Sequence, residues 1–281
     1  SRRQRQMCIR DSMALFVCLW YRVPQPSRWK LVLAANAVFC LSIDIGAFFA
    51  VALATAVVWQ AAQHAQPEQP SRRGWLALGL AAALLPLLVL KYSGMLVPGL
   101  RDLYKPFGLA YYSLQLAGYL LDVWHGRTAP TPSYARLWCY AGFFLSLTQG
   151  PFNRYNTLMP QLEAAPKTFE TQRLVSGLQR SAWGYFKKFA IADRAAIVVS
   201  AAFADPASFD RSQLIFATVM YSFQLYADFS GYTDIVLGMG EILGLHLPEN
   251  FRQPFFSASV KELWARWHIS LSQWFRDYVY I

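Results

Sequence analysis

Among the four histidines of this 281-residue chain, His268 is the one whose neighbours could make it a base. It lies in the run Trp264-Ala265-Arg266-Trp267-His268-Ile269-Ser270-Leu271-Ser272. Read as a continuous helix, the run stacks Trp264, His268 and Ser272 on one face, and Phe275 joins them one heptad beyond the histidine. An imidazole buried among aromatic rings loses stability in its charged form, so its pKa falls. The neutral ring that results is the form that can take a proton from an attacking hydroxyl. The competing reading is the ordinary one, a lone histidine used only for packing.

A second group of residues is acidic. Asp228, Asp234 and Glu241 interrupt the apolar stretch Leu214–Leu245, and Asp234 and Glu241 share a helix face by their spacing of seven. An ionisable group within lipid costs from about 2.5 kcal/mol upward, so these acids must face protein or a watery cavity. They either line a substrate path or form a structural network with Arg252, Arg266 or Arg276. The network is the commoner fate for Asp228 and Asp234, and Glu241 reads as interfacial. The remaining histidines carry less. His64 lies in a polar loop, His125 in the loop after an apolar run, and His246 just before Leu247-Pro248-Glu249-Asn250. Four cysteines, Cys8, Cys18, Cys40 and Cys139, show no metal-binding spacing, so neither a metal site nor a disulfide framework is expected.

The elements that must position these residues are membrane helices. The chain is 55% hydrophobic and only 15% charged, against about 25% charged in a soluble domain. Its net charge of +10 comes from Lys and Arg scattered between apolar runs, which suits headgroups and membrane-flanking loops. No basic stripe is concentrated on one element, so no nucleic-acid partner is expected. With about 20 apolar residues needed per span, Leu31–Ala62 reads as a short embedded helix and then a full span. Trp75–Leu90 and Phe107–Val123 follow as further spans, and Leu137–Leu147 as a shorter apolar run. Asn153–Thr171 is polar and interfacial. Gln172–Asp193, with Arg173, Arg180, Lys187 and Lys188 against Leu174, Leu178, Trp183 and Phe186, reads as an amphipathic helix in the headgroup region. Ala195–Phe203 and Leu214–Leu245 are again apolar. The fold class expected is all-α, a polytopic transmembrane bundle of about seven to nine embedded helices with interfacial amphipathic ones. Residues 13–281 read as one membrane domain. Residues 1–12 read as a non-native or disordered leader, because Met7-Cys8-Ile9-Arg10-Asp11-Ser12 is similar to translated adapter sequence. The chain stops at Tyr280-Ile281 straight after an aromatic, basic segment, so a continuation is expected.

Several strings match a known family. Tyr226–Phe251 (YADFSGYTDIVLGMGEILGLHLPENF), Leu263–Ser272 (LWARWHISLS) and Phe275–Ile281 (FRDYVYI) resemble the signature of the membrane-bound O-acyltransferases. Upstream, Pro106–Gly126 (PFGLAYYSLQLAGYLLDVWHG) and Gly150–Leu162 (GPFNRYNTLMPQL) resemble two further segments of that family. The matching region begins at residue 106, and the first hundred residues match in hydropathy alone. The likeness is greatest to the bacterial branch that acetylates alginate or transfers D-alanine to teichoic acid. Three departures stand out: Gln149 before Gly150-Pro151, Leu263-Trp264-Ala265 in place of a more basic start, and Ala227 where an aromatic is frequent.

The resemblance implies a reaction and roles. His268 becomes the first of two catalytic histidines, the second lying past Ile281, and the general base toward a hydroxyl. Asn250, Arg266, Trp267, Gln115 and Asp228 become substrate-binding candidates. Arg276, Asp122, Pro151 and Arg154 match as positioning or structural residues. No cofactor is implied beyond the acyl donor itself, a thioester or a carrier-protein-linked acyl group. The partners implied are membrane lipid, an exported glycan acceptor, and an acyl-carrier or periplasmic acetylation protein. The location implied is the bacterial inner membrane, crossed many times. D-alanyl transfer to teichoic acid and a non-catalytic acyl-export scaffold remain alternatives. A transporter should show paired, Gly/Pro-broken spans in two similar halves, and no such symmetry is visible.

Overall fold

Asp44 divides the first long apolar stretch into two helices. The computed structural model describes residues 15–66, 69–97, 99, 103–166 and 168–280, and the leader expected over residues 1–12 lies outside them. After a helix over 15–22 (α1), α2 runs Arg28–Ile43 and α3 runs Ile45–His64. At the break Asp44 has an extended backbone and caps α3, its Oδ1 accepting from Gly46 N at 3.0 Å. Its Oδ2 accepts from Phe107 N at 3.1 Å, and Tyr104 donates its hydroxyl to the same carboxylate. A short acid between two apolar runs thus satisfies amide donors that a helix end leaves open.

The chain continues as α4 (Arg72–Leu96), α5 (Leu109–Trp124), α6 (Tyr134–Ala141), α7 (Tyr155–Ala164) and α8 (Thr171–Phe186). A π-helical turn, Lys187–Ala192, leads into α9 (Asp193–Ala204). Then come α10 (Arg211–Ile242), α11 (Val260–Arg266) and α12 (Ile269–Tyr278). Among the described residues there is no strand, only an isolated antiparallel bridge between Phe251 and Trp267, so the all-α expectation holds. Two of the described helices, Ile45–His64 and Arg72–Met95, are long and apolar enough to cross a membrane. Leu78, Leu85, Leu88 and Val89 of α4 are exposed.

The chain falls into two compact units. The first contains residues 1–148, 152–169 and 273–281. There α3, α4 and α5 pack together, with α6 against α2 and α3. Buried Asn36 of α2 fixes that last contact, donating to Cys139 O and accepting from Phe144 N, both at 2.9 Å. His64, expected in a loop, is the last residue of α3 and stacks on Trp75.

The second unit contains residues 149–151 and 170–272, and its main packing is α8 against α10. Both helices carry glycines seven residues apart where they meet. Gly177 faces Gly238 and Gly184 faces Gly231, so close that a Cβ on any of them would strike the opposite backbone. Small residues at such a seam let two backbones approach, as in membrane helix pairs. α8 is amphipathic as expected, and its basic residues turn toward the protein. Val175, Leu178, Trp183 and Phe186 are exposed, while Arg180 and the lysines just after the helix turn toward α10.

Those basic residues correct the network expected for the acids. Asp234 pairs with Lys187 and, at 3.2 Å, with Arg180, and Asp228 pairs with Lys188. Glu241 accepts from Ser176 Oγ at 2.5 Å. The partners are therefore not Arg252, Arg266 or Arg276. Lys187 also donates to Ser230 at 3.0 Å, and Lys188 pairs with Asp193 at 3.2 Å. The wider π turn helps two consecutive lysines reach the same neighbouring helix.

Candidate active site

The run that carries His268 is not one helix. α11 ends at Arg266, and Trp267 is extended at φ −108° and ψ 128°. His268 then stands in the left-handed region at φ +44°, and α12 starts at Ile269. The expected face of Trp264, His268 and Ser272 therefore does not form. A non-glycine residue in that backbone region is strained by the order of 1–3 kcal/mol and persists only where its surroundings enforce it. Here the His268 carbonyl accepts from Leu271 N at 3.1 Å and from Ser272 N at 3.0 Å, opening α12.

What enforces the break is the segment Asn250–Arg252, which lies alongside Arg266–Ser270. Arg252 N donates to Arg266 O at 3.0 Å, and Ile269 N donates to Asn250 O at 3.0 Å. The side chain of Asn250 completes the pairing. Its Oδ1 accepts from Ser270 N at 3.2 Å and from Ser270 Oγ at 2.6 Å. Asn250 is fully buried, and its Nδ2 is a buried donor with no hydrogen-bond partner in the structure. An orphaned amide donor of this kind costs about 1–3 kcal/mol. Ser272, expected as the hydroxyl beside the histidine, instead donates to Trp267 O at 3.4 Å, and Ser270 takes the inner position.

The ring of His268 is half-buried, with its Nε2 buried. Phe229 of α10 meets it edge to face, with centroids 4.7 Å apart and planes at 81°. Phe229 also packs on Phe251, and Phe251 on Trp267, at 5.0 and 5.1 Å between centroids. Tyr226 and Phe255 extend the same cluster. His268 lies outside the two spanning helices, and burial among these groups pulls its pKa down to about 4. The imidazole is then neutral and able to accept a proton across the physiological range.

Of the other expected site residues, the structure brings Asn250 and Trp267 to the histidine's backbone. Arg266 is the last residue of α11 and pairs with Glu262 at 2.5 Å. Asp228 is held by Lys188, two residues after the cluster's Tyr226 and next to Phe229 in sequence. Gln115 belongs to the first unit, on α5, where it is buried and its Nε2 is without a partner. In that unit the end of α12 is tied to α5. Trp274 Nε1 donates to Leu114 O at 3.0 Å, and Tyr278 donates its hydroxyl to buried Asp122 at 2.8 Å. Arg154 pairs with Asp277 at 2.6 Å. Sequence reasoning missed Phe229, Phe251 and Ser270. The aromatic ones sit inside the matched strings, but nothing in their spacing links residue 229 or 251 to residue 268. Among the described residues no cluster of His, Cys, Asp or Glu is arranged to hold a metal.

A family model described as MBOAT, membrane-bound O-acyltransferase family, matches residues 127–281. A protein of Azotobacter vinelandii named "Probable alginate O-acetylase AlgI" is 33% identical over 96% of this chain and 57% of its own length. A peptidoglycan O-acetyltransferase of Helicobacter pylori is 29% identical over 78% of this chain and 48% of its own. A teichoic acid D-alanyltransferase of Bacillus subtilis is 29% identical over 82% of this chain and 61% of its own. The first of these matches reaches into the first hundred residues, so the likeness there goes beyond hydropathy. The chain spans about half to three fifths of the length of these relatives. A matched region that takes in more than half the chain, together with the segment that builds the His268 site, makes this chain a member of the membrane-bound O-acyltransferase family.

Proposed function

We propose that this chain is the base-carrying part of a multi-pass enzyme of the bacterial inner membrane. It moves an acyl group, acetyl in the first instance, onto hydroxyls of an exported polysaccharide of the alginate type. The observation that supports this reading is the fixed, half-buried imidazole of His268, kept neutral by burial. In the reaction proposed, His268 takes the proton from a sugar hydroxyl as its oxygen attacks the carbonyl of an acyl thioester. The carbon–sulfur bond breaks, and the thiolate leaves with the proton that the imidazolium returns. A base of this kind supplies about 10²–10⁴ in rate.

Substrate-binding roles follow for the residues around it. The buried Nδ2 of Asn250 is a donor available to an incoming oxygen. Trp267 walls the site through its aromatic cluster, and Arg266 borders it. Gln115 is proposed as a substrate-binding residue on the strength of its own buried amide donor, within the first unit. Asp228 contributes through its pair with Lys188, which supports a supporting role over direct contact. The partners proposed are membrane lipid, the exported glycan, and an acyl-carrier or periplasmic acetylation protein. α10, about 48 Å long by its helical rise, exposes Ile215, Phe216, Val219 and Leu225 and is proposed as a further span. Acetyl transfer is preferred to D-alanyl transfer because the alginate-type relative is 33% identical and the teichoic acid enzyme 29%.

The test uses the full-length gene in a bacterium that exports alginate but lacks its own acetylating enzyme. Acetyl ester on the exported polymer is measured for wild type and for His268→Gln at matched membrane levels. The variant should lose about 10²-fold or more. Acetylation at the wild-type level in the variant would remove His268 from the chemistry.

A further inference from the structure

We infer that Asn250 is the positioning residue for His268. It acts by holding residues 269 and 270 so that the chain turns left-handed at the histidine and aims the ring into the aromatic cluster. The inference rests on the reading of His268 as the base, but it concerns the ring's placement.

Three hydrogen bonds carry it. Asn250 O accepts from Ile269 N, and Asn250 Oδ1 accepts from both Ser270 N and Ser270 Oγ. These satisfy the first two amides of α12, which would otherwise seek the carbonyls of α11 and join the two helices. A joined helix would move His268 away from φ +44° and rotate its ring off Phe229. Nothing local forces the break, since Arg266–Ser270 contains neither glycine nor proline. The pairing partner, residues 250–252, is itself anchored on both sides. Glu249 is held by Arg180 at 2.6 Å, and Phe251 is held by the rings of Tyr226, Phe229 and Trp267. A fully buried side chain bonding two atoms of one residue across twenty positions is a clamp rather than a filler of space. Several charged groups on the neighbouring elements are paired among themselves, with Arg252 and Lys261 the further cations on the adjoining segments. Arg266 is with Glu262, Asp228 with Lys188, and Asp234 with Lys187 and Arg180, and burial is what lowers the histidine's pKa.

The experiment reads the ring directly. Full-length protein in membranes is treated with diethyl pyrocarbonate, which modifies neutral imidazole, and the rate at the His268 peptide is followed by mass spectrometry from pH 5.5 to 7.5. His268→Gln identifies the signal. Wild type should give a flat profile, because its ring is already neutral throughout. Asn250→Ala should release the ring to water and to an ordinary pKa of about 6.5, so its rate should rise about tenfold across the range. Ser270→Ala, which removes only the 2.6 Å bond, should give a rise of about threefold, and it decides the matter if Asn250→Ala does not accumulate. A flat profile in a folded Asn250→Ala, or in Ser270→Ala where that variant must decide, overturns the inference, as does a tenfold rise in wild type. A variant without catalytic function would not disturb these readings. Loss of the base role would appear only as unchanged polymer acetylation in His268→Gln.

Discussion

Arg180 of α8 donates to Glu249 at 2.6 Å, one residue before the asparagine that clamps the histidine's turn. The same guanidinium reaches Asp234 of α10 at 3.2 Å. One cation thus ties a helix pair to the segment that shapes the site. All three side chains are at least partly shielded from solvent, so their coupling exceeds that of an exposed ion pair. Arg180→Ala leaves Glu249 without its cation and Asp234 with Lys187 alone, and should cost about 1 kcal/mol after solvent screening. The apparent Tm of the purified full-length protein should fall, and Arg180→Lys should recover only part of the loss, because an ammonium lacks the fork that spans two acceptors. A melting curve for Arg180→Ala that overlays wild type would show the bridge to be ornamental.

The seam beside that bridge sets a second expectation. A Cβ placed on Gly231 would lie 2.8 Å from Gly184 O, and one on Gly184 would lie 2.5 Å from Gly231 O. Backbone atoms cannot swing aside as a side-chain tip can, so α8 and α10 would have to separate. Gly231→Ala should therefore destabilise by at least the 1–3 kcal/mol typical of overpacking. Separation would also loosen the pairs of Lys187 and Lys188 with Asp234 and Asp228. Gly126→Ala gives the contrast. Unlike helical Gly231 it has a positive φ, at +71°, but a Cβ there meets nothing within 4 Å, so it should cost less. Retention of full-length protein after mild heating in detergent ranks the two. Equal losses would mean that the close approach at Gly231 costs no more than the backbone strain at Gly126.

Much of this architecture is legible in the residues themselves. The polar interruption at Asp44 marks the boundary between α2 and α3, the apolar run Trp75–Leu90 falls within α4, and all but the first two residues of Phe107–Val123 fall within α5. Periodicity also marks the region of α8, but not which face turns toward α10, because that depends on the acids α10 presents. The break at His268 is hidden for a different reason. Its cause is Asn250, eighteen residues earlier, and a helix interrupted from outside carries no stop signal of its own. The partners of Asp228 and Asp234 are hidden likewise. Several arginines lie nearer in sequence, and tertiary packing chose Arg180 and two lysines forty or more residues upstream of their acids.

The histidine's depressed pKa has a consequence for stability that is separate from catalysis. In the unfolded chain His268 titrates near the ordinary value of about 6.5, and in the folded protein burial holds it at about 4. Between those values the unfolded state binds the extra proton. The burial of the neutral ring thus contributes in full above about pH 6.5, and the contribution is lost as pH falls toward 4. With the ring only half-buried, the loss by pH 4.5 is on the order of 2 kcal/mol. His268→Gln cannot titrate and lacks this term. The apparent Tm of wild type minus that of His268→Gln should accordingly drop by several degrees between pH 7.5 and pH 4.5, whatever the other acids contribute to both. A difference that stays constant over that range, or grows as the solution is acidified, would mean that His268 is not buried as a neutral base.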